Sequence, residues 1–359
     1  MALGNKLAAL ETFIAAQADA TKVTATLIGR LGGGAIQQNW ALDLDILGGP
    51  LAGPQPVVLR ADAPSGIAES WGKAEEFAIL RVAHRAGVRV PEPLWLDDLG
   101  GVIGQPFHIS RRLPGSADPR KLVRAIEEEA GDTLVAELGG EIAKLHAIAP
   151  ANAPEALAFL PKPTGDLIVS RLAAHRAQLD RLPEAQPVLE WAINRLEDEA
   201  PRYVRAPATI TLCHRDFRSG NYLVADDRLT GLLDFEFAGW SDPYEDLGWF
   251  CARCWRFGMV GAEAGGVGSR DAFYRGYEAA GGGPVDDDRV RFWEQMAALR
   301  WAIMSLEQAE RHLSGRERSI ELALTGLVSL EMEYDLLIDL RLPGFKPVAK
   351  KPRAEEAAS

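Results

Sequence analysis

In the stretch His214-Arg215-Asp216-Phe217-Arg218-Ser219-Gly220-Asn221, a carboxylate and an amide lie five positions apart in a run of turn-forming residues. Behind it, Tyr222-Leu223-Val224-Ala225 and Thr230-Gly231-Leu232-Leu233 flank Asp226-Asp227-Arg228-Leu229, a pattern that reads as a β-hairpin, and Asp234 follows the returning strand. If Ala225 faces Thr230, antiparallel pairing sets Asn221 opposite Asp234. The chain is then held to a fold in which a compact strand-rich insertion, Ala208 to Trp240, brings a carboxylate base and two oxygen ligands to one mouth.

That insertion lies between helices. Upstream, an N-terminal helix precedes strands at Val23 to Leu31 and Trp40 to Leu47, joined by the turn Gly32-Gly33-Gly34-Ala35-Ile36-Gln37-Gln38-Asn39. A third strand, Val57-Val58-Leu59-Arg60, ends on a cation, and Trp71 to Arg85 has apolar residues at helical spacing. Two short extended pieces in 101–110 lead to the connector Arg111-Arg112-Leu113-Pro114-Gly115. Helices follow at Leu122 to Glu129, Thr133 to Ile148, Gly165 to Leu179 and Pro187 to Glu199, and resume after Asp246. The 359 residues, 47% hydrophobic, supply two cores. The expected architecture is α+β and bilobal: a small β-rich lobe with its N-terminal helix over 1–112, a larger helical lobe carrying the catalytic loop and hairpin over 113–341, and an exposed tail over 342–359.

A net charge of -12 argues against a chain whose task is gripping nucleic acid. Three cysteines make no disulfide framework and suit a reducing compartment; Cys251 and Cys254, lacking a second ligand pair, read as packed helix residues. The N-terminus is amphipathic and broken by Lys6 and Glu11, and no apolar run reaches membrane-spanning length, so a cytoplasmic protein free of membrane is expected.

The spacing from His214 to Asn221 matches the H-R-D-x-x-x-x-N pattern of phosphoryl-transfer loops, where a carboxylate faces an acceptor hydroxyl and an amide oxygen turns toward a metal on nucleotide phosphates. Oxygen ligands favour magnesium over zinc. Asp234-Phe235-Glu236 follows, with a carboxylate at the third position. The bland alternative makes Asp216 and Asn221 turn-formers and His214 a satisfied core histidine; for His214 the structural role is the expected one. No G-x-x-x-x-G-K-[ST] run is present, which disfavours a P-loop enzyme.

These residues resemble the aminoglycoside phosphotransferase family of kinase-like small-molecule phosphotransferases, in particular its branch found beside acyl-CoA dehydrogenases. The resemblance extends to Gly32-Gly33-Gly34-Ala35 with Asn39-Trp40, to Leu145-His146-Ala147, to the G-x-x-D-P-x-x-D-L run from Gly239 to Leu247, and to C-terminal segments at Arg311 to Gly315 and Glu321 to Gly326. It implies a protein-kinase-like fold that uses ATP and magnesium, with Asp216 as catalytic base and Asn221 and Asp234 as metal ligands. By the same resemblance Gly32, Gly33, Gly34, Arg60 and Glu76 contact or support the nucleotide, with Arg60 standing where many relatives carry lysine and Glu75 as a rival to Glu76. The adenine is expected near Phe107 to Arg112. Asp246 is expected to brace the catalytic loop or to cap its helix, His146 to pack, and Asp286-Asp287-Asp288 to open a helix. The implied activity is transfer of the ATP γ-phosphoryl group to a hydroxyl of a small molecule, a hydroxy acid or hydroxyacyl-CoA. An aminoglycoside or amino-alcohol kinase, or a nucleotide-binding regulatory pseudokinase, stands as the alternative.

Overall fold

The computed structural model describes residues 3–32, 37–62, 70–204 and 209–342. Residues Gly33 and Gly34 of the glycine turn, and positions 343–359 of the expected tail, lie outside the described residues. Helix α1 (Leu7–Gln17) is followed by β1 (Lys22–Arg30), β2 (Gln37–Leu47), β3 (Gly53–Asp62), α2 (Lys73–Arg85), β4 (Pro93–Asp97) and β5 (Phe107–Arg111). The strands form one antiparallel sheet in the order β1-β2-β3-β5-β4. Along β3, Val57, Leu59 and Ala61 are buried in the core shared with Leu10 and Ile14 of α1. Side chains alternate across a strand, so Arg60 is turned to the opposite face, toward α2.

The larger lobe holds α3 (Pro119–Ala125), α4 (Glu128–His146), α5 (Leu167–Leu179) and α6 (Pro187–Glu199), then β6 (Thr211–Cys213), β7 (Tyr222–Ala225), β8 (Arg228–Leu232) and β9 (Gly239–Ser241). It closes with α7 (Pro243–Cys251), α8 (Arg270–Ala279), α9 (Asp287–Leu313), α10 (Ile320–Thr325) and α11 (Val328–Asp339). The small β-rich lobe and larger helical lobe read from the sequence are both present. Their helix bounds differ at one place: Asp118 caps α3, with Pro119 in its first turn, and Ile126 turns extended at ψ 134°, so the helix expected over Leu122 to Glu129 stops early and α4 starts five residues before Thr133.

Close helix contacts rest on missing side chains. A Cβ at Gly276 of α8 would lie 2.0 Å from the Ala136 carbonyl oxygen of α4, and one at Gly248 of α7 would lie 2.5 Å from Trp293 Cβ of α9. These approaches seat Phe217, Phe250 and Phe273 in one core beneath the catalytic loop.

Two short ribbons frame that loop. β6 pairs with β9 and β7 with β8, so the β6–β7 and β8–β9 connections leave the ribbons side by side. The expected hairpin register is corrected. Asp226 and Asp227 have φ of 50° and 58° and form a two-residue turn of the kind that matches strand twist, pairing Ala225 with Arg228 and not with Thr230. A bulge between Leu223 and Val224 absorbs one residue of this two-residue difference, and the Leu233 N–H donates to the Asn221 carbonyl at 2.8 Å. Asn221 is therefore opposite Leu233, one residue short of Asp234.

Candidate active site

Two residues beside this mouth have left-handed backbones: Arg215 at φ 63° and Asp234 at φ 67°. Such conformations cost roughly 1–3 kcal/mol each outside glycine and persist where neighbours over-determine them. For Arg215 the neighbour is Asp246, whose Oδ2 accepts the His214 N–H and whose Oδ1 accepts the Arg215 N–H, both at 2.7 Å. His146 Nε2 lies 3.0 Å from Asp246, and its Nδ1 lies 3.0 Å from the Tyr277 hydroxyl. Capping of α7 falls to Asp242, which accepts the Tyr244 N–H at 3.0 Å. Asp246 is thus the brace and not the cap, and His146 is a polar link in that brace as well as a packed ring. Cys213 joins His146 and Asp246 in a buried trio, but both imidazole nitrogens and both carboxylate oxygens are already hydrogen-bonded, so the trio holds the loop.

His214 has the structural part expected of it. Its Nδ1 accepts the Asp216 N–H at 3.3 Å, which leaves Nε2–H to donate to the Leu233 carbonyl at 2.8 Å. One ring therefore ties the backbone of Asp216 to the residue preceding Asp234.

The Asp216 carboxylate is oriented by three donors. Oδ1 accepts from Arg218 Nε at 3.0 Å and from Trp249 Nε1 at 3.1 Å, and Oδ2 accepts from Asn221 Nδ2 at 2.7 Å. Asn221 Nδ2 also donates to the Asp216 carbonyl at 2.9 Å. With the amide nitrogen engaged, Oδ1 is the Asn221 atom left for a cation. Arg218 and Trp249 were not singled out from the sequence. Arg218 had a local signal in its position two residues past Asp216, whereas Trp249 arrives from α7 with none.

Across the cleft, Arg60 joins the lobes by pairing with Asp234 on one side and with Glu76 Oε1 at 2.8 Å on the other. Glu76 rather than Glu75 faces it. Glu76 also meets Lys73 Nζ at 2.5 Å and His108 Nε2 at 3.7 Å, His108 being the cross-strand neighbour of Arg60. Burial works against a charged Glu76, yet Arg60, Lys73 and His108 hold its carboxyl well below the usual range. Burial likewise opposes the Arg60 charge, and Asp234, Glu76 and Glu236 outweigh it and raise its pKa. His108 is lowered, chiefly by burial. Lys73, and His108 inside the Phe107 to Arg112 segment expected near the adenine, complete the charged network around Glu76. The Trp71 N–H donates to the Glu236 carbonyl at 2.8 Å and its indole N–H to the Ala238 carbonyl at 2.6 Å, so the start of α2 is fastened to the segment after Asp234. Gly32 is exposed at the sheet edge with open space where a Cβ would stand.

The donor set fits a hard divalent cation: an amide oxygen and a carboxylate at the end of one hairpin, both hard oxygen donors. Asp234, about one-fifth exposed, is partnered by Arg60 and reaches the cleft surface. The whole arrangement offers an oriented base, oxygen ligands and a cation anchored on a buried carboxylate.

The model of the phosphotransferase enzyme family matches residues 28–293. A curated mouse relative, acyl-CoA dehydrogenase family member 10, is 23% identical over 208 residues, which are 56% of this chain and 18% of the relative's length. The chain thus spans less than a fifth of that protein. Among solved structures, a Ralstonia eutropha protein described as a candidate aminoglycoside phosphotransferase superposes with TM-score 0.69 at 18% identity, covering 93% of this chain and 98% of its own. The GDP complex of an aminoglycoside 2'-phosphotransferase gives TM-score 0.59 at 19% identity, covering 94% and 99%. These similarities show the same two-lobed fold.

Proposed function

This chain belongs to the phosphotransferase enzyme family, and on that premise we propose that it moves the γ-phosphoryl group of ATP, with magnesium, to a hydroxyl of a small molecule. The observation that carries the reading is the meeting of Asp216, Asn221, Asp234 and the Arg60–Glu76 pair in one cleft between the lobes. When bound, magnesium supplies charge neutralisation on the phosphates, and Asn221 and Asp234 are the residues to hold it. Arg60, fixed by Glu76, presents a guanidinium to phosphate oxygens; its planar fork suits that contact differently from a lysine ammonium.

Asp216 holds the acceptor hydroxyl and takes its proton. The acceptor oxygen forms the new bond to the γ-phosphorus as the bond to the bridging oxygen breaks, and ADP leaves with that electron pair. Arg218 and Trp249 donate to the same carboxylate, keeping it aimed at the acceptor hydroxyl. Hydroxy acids or hydroxyacyl-CoA thioesters are the proposed acceptors; the mouse relative, 18% of whose length this chain matches, is named for acyl-CoA dehydrogenation.

An ATP-consumption screen against hydroxy acids, hydroxyacyl-CoAs, aminoglycosides and amino alcohols tests this reading. Asp216→Ala is expected to lower kcat by about 10²–10⁴-fold on any acceptor found; full activity in that variant removes the assignment. Magnesium-dependent ATP binding with no product over the whole screen supports a nucleotide-binding regulator instead.

A further inference from the structure

The last two helices carry an apolar face that packing within the chain does not use. From α10 into α11 the backbone keeps its right-handed turn through Gly326 (φ -58°, ψ -29°) and Leu327 (φ -68°, ψ -18°), so the two helices run on as one kinked rod. The inner face is set by Leu322, Ser329, Met332 and Leu336, all buried, and by Gly326, where a Cβ would lie 2.5 Å from Ala309 Cβ of α9. On the outer side Ile320, Leu324, Leu327 and Leu330 are between 57% and 74% exposed.

These outer residues belong to a pattern. Ile320, Leu324, Leu327, Glu331, Tyr334 and Ile338 step by four and three in alternation, the 3.5-residue repeat by which one helix seats along another. A helix packed on its own core needs no second apolar stripe opposite the first. At roughly 100 Å² of exposed surface apiece, the four aliphatic residues leave about 400 Å² of apolar surface per chain, the size at which an exposed patch marks an interaction site. Two copies joined there cover about 800 Å² of apolar surface, which with a polar rim passes the roughly 1,000 Å² of a specific interface. The sequence after Leu342 matches the stripe poorly, with Phe345 and Val348 as its large apolar residues.

Polar residues choose the direction of pairing. Side by side in parallel, Glu331 meets its own copy in the seam, carboxylate against carboxylate. Antiparallel, Glu331 meets Leu327, Ile320 meets Ile338, Leu324 meets Tyr334, and Leu330 comes beside its own copy. The same arrangement brings the exposed Arg316 and Arg318, which outweigh Glu321, to the far end of α11 in the other copy, where Glu333, Asp335 and Asp339 gather. Carboxylates are in excess at that end: burial, with Asp339 and Glu331 adding to it against Arg253, raises the Asp335 carboxyl to about 6.

We infer that this chain pairs with a second copy of itself through the outer face of α10 and α11, the two faces antiparallel about a twofold axis near Leu330. Every contact then occurs twice, as in any isologous interface. The pairing stands apart from the phosphotransferase reading and from the choice of acceptor.

Sedimentation velocity of the full chain between about 1 and 100 µM tests it. A species of twice the 39.0 kDa chain mass is expected to build up with concentration. Leu324→Glu together with Leu327→Glu should raise the dimer Kd roughly hundredfold or more, because each dimer loses four aliphatic contacts and gains four carboxylates in their place. Far-UV circular dichroism matching the parent shows that this variant is folded. Leu330→Lys and Leu330→Glu give a second route: each alone should weaken pairing roughly tenfold, and an equimolar mixture should restore it, since opposite charges then meet at the axis. A full chain that stays monomeric at about 100 µM overturns the inference and leaves the face to the segment after Leu342 or to another protein. A dimer whose Kd the double substitution does not move overturns it too. A mixture of the two Leu330 variants that pairs no better than either alone removes the antiparallel arrangement.

Discussion

Asp216 illustrates how much one side chain depends on others far away in the chain. Its spacing to Asn221 could be read directly, because both residues sit on one loop and the chemistry needs that interval. Asp234 was also legible, since a hairpin converts sequence distance into proximity. Trp249 and His108 were not, because nothing local marks an indole or an imidazole that tertiary packing brings to a carboxylate; Trp249 is 33 residues from Asp216, whereas Lys73 lies one helical turn from Glu76 and was open to a helical-spacing argument. Trp249→Phe keeps the ring and removes the donor, so kcat should fall roughly tenfold, the worth of one hydrogen bond to a charged group, with the melting temperature little changed. Steady-state kinetics beside a thermal melt checks it; an unchanged kcat shows that Arg218 and Asn221 orient the base unaided. Arg60 pairs with both Glu76 and Asp234, a contact that the two-sided fork of a guanidinium can make.

Elements set these side chains at the right distance. Strand and helix order was readable from periodicity, whereas the hairpin register was not, because the two aspartates at the turn both adopt positive φ and a bulge then shifts the pairing by one. Helix α7 is the element on which the site depends most: Asp246 braces the loop, Glu245 gathers arginines and Trp249 meets the base. It lies against α9 through Gly248, where a Cβ would stand 2.5 Å from Trp293 Cβ and 2.6 Å from the Trp293 carbonyl carbon. Gly248→Ala is therefore expected to destabilise the fold by about 1–3 kcal/mol and to lower kcat by displacing Trp249. Denaturant unfolding with kinetics on the same variant decides it, and wild-type values for both would show that the helices part without disturbing the site. Asp246→Ala strands two backbone donors and His146, a loss of about 3 kcal/mol with the loop no longer held in place.

At the scale of the whole molecule, the two lobes were foreseeable from length, composition and the change from strand to helix patterns, but the joining of lobes through Arg60 and through Trp71 was not, since both contacts cross more than 160 residues of chain. Among the described residues no helix is long and apolar enough to cross a membrane. Buried ionisable groups give the fold a pH dependence. His175 is neutral in the folded chain because burial lowers its pKa from 6.5 to about 4. The unfolded chain thus takes up a proton first as pH falls, and stability is lost between about pH 6.5 and pH 4 and lost no further through this group below that. Glu76, held low by its cations, adds a loss that begins at lower pH, as its unfolded form protonates near 4.5. His175→Gln should flatten the upper part of this profile in denaturant titrations from pH 7 to pH 4; an unaltered slope there assigns the effect elsewhere. Magnesium with ATP at about a hundred times its Kd should stabilise the chain by about 2.7 kcal/mol, and Asp234→Ala should remove the magnesium-dependent part of the shift in melting temperature. The most direct measurement is phosphorus NMR of the full chain with magnesium, ATP and a 3-hydroxyacyl-CoA or 3-hydroxybutyrate. A new phosphate-ester resonance appearing in step with ADP, and absent with Asp216→Asn, is the expected result; ATP that persists unchanged with every acceptor, or an Asp216→Asn chain that makes the ester at the native rate, contradicts the account.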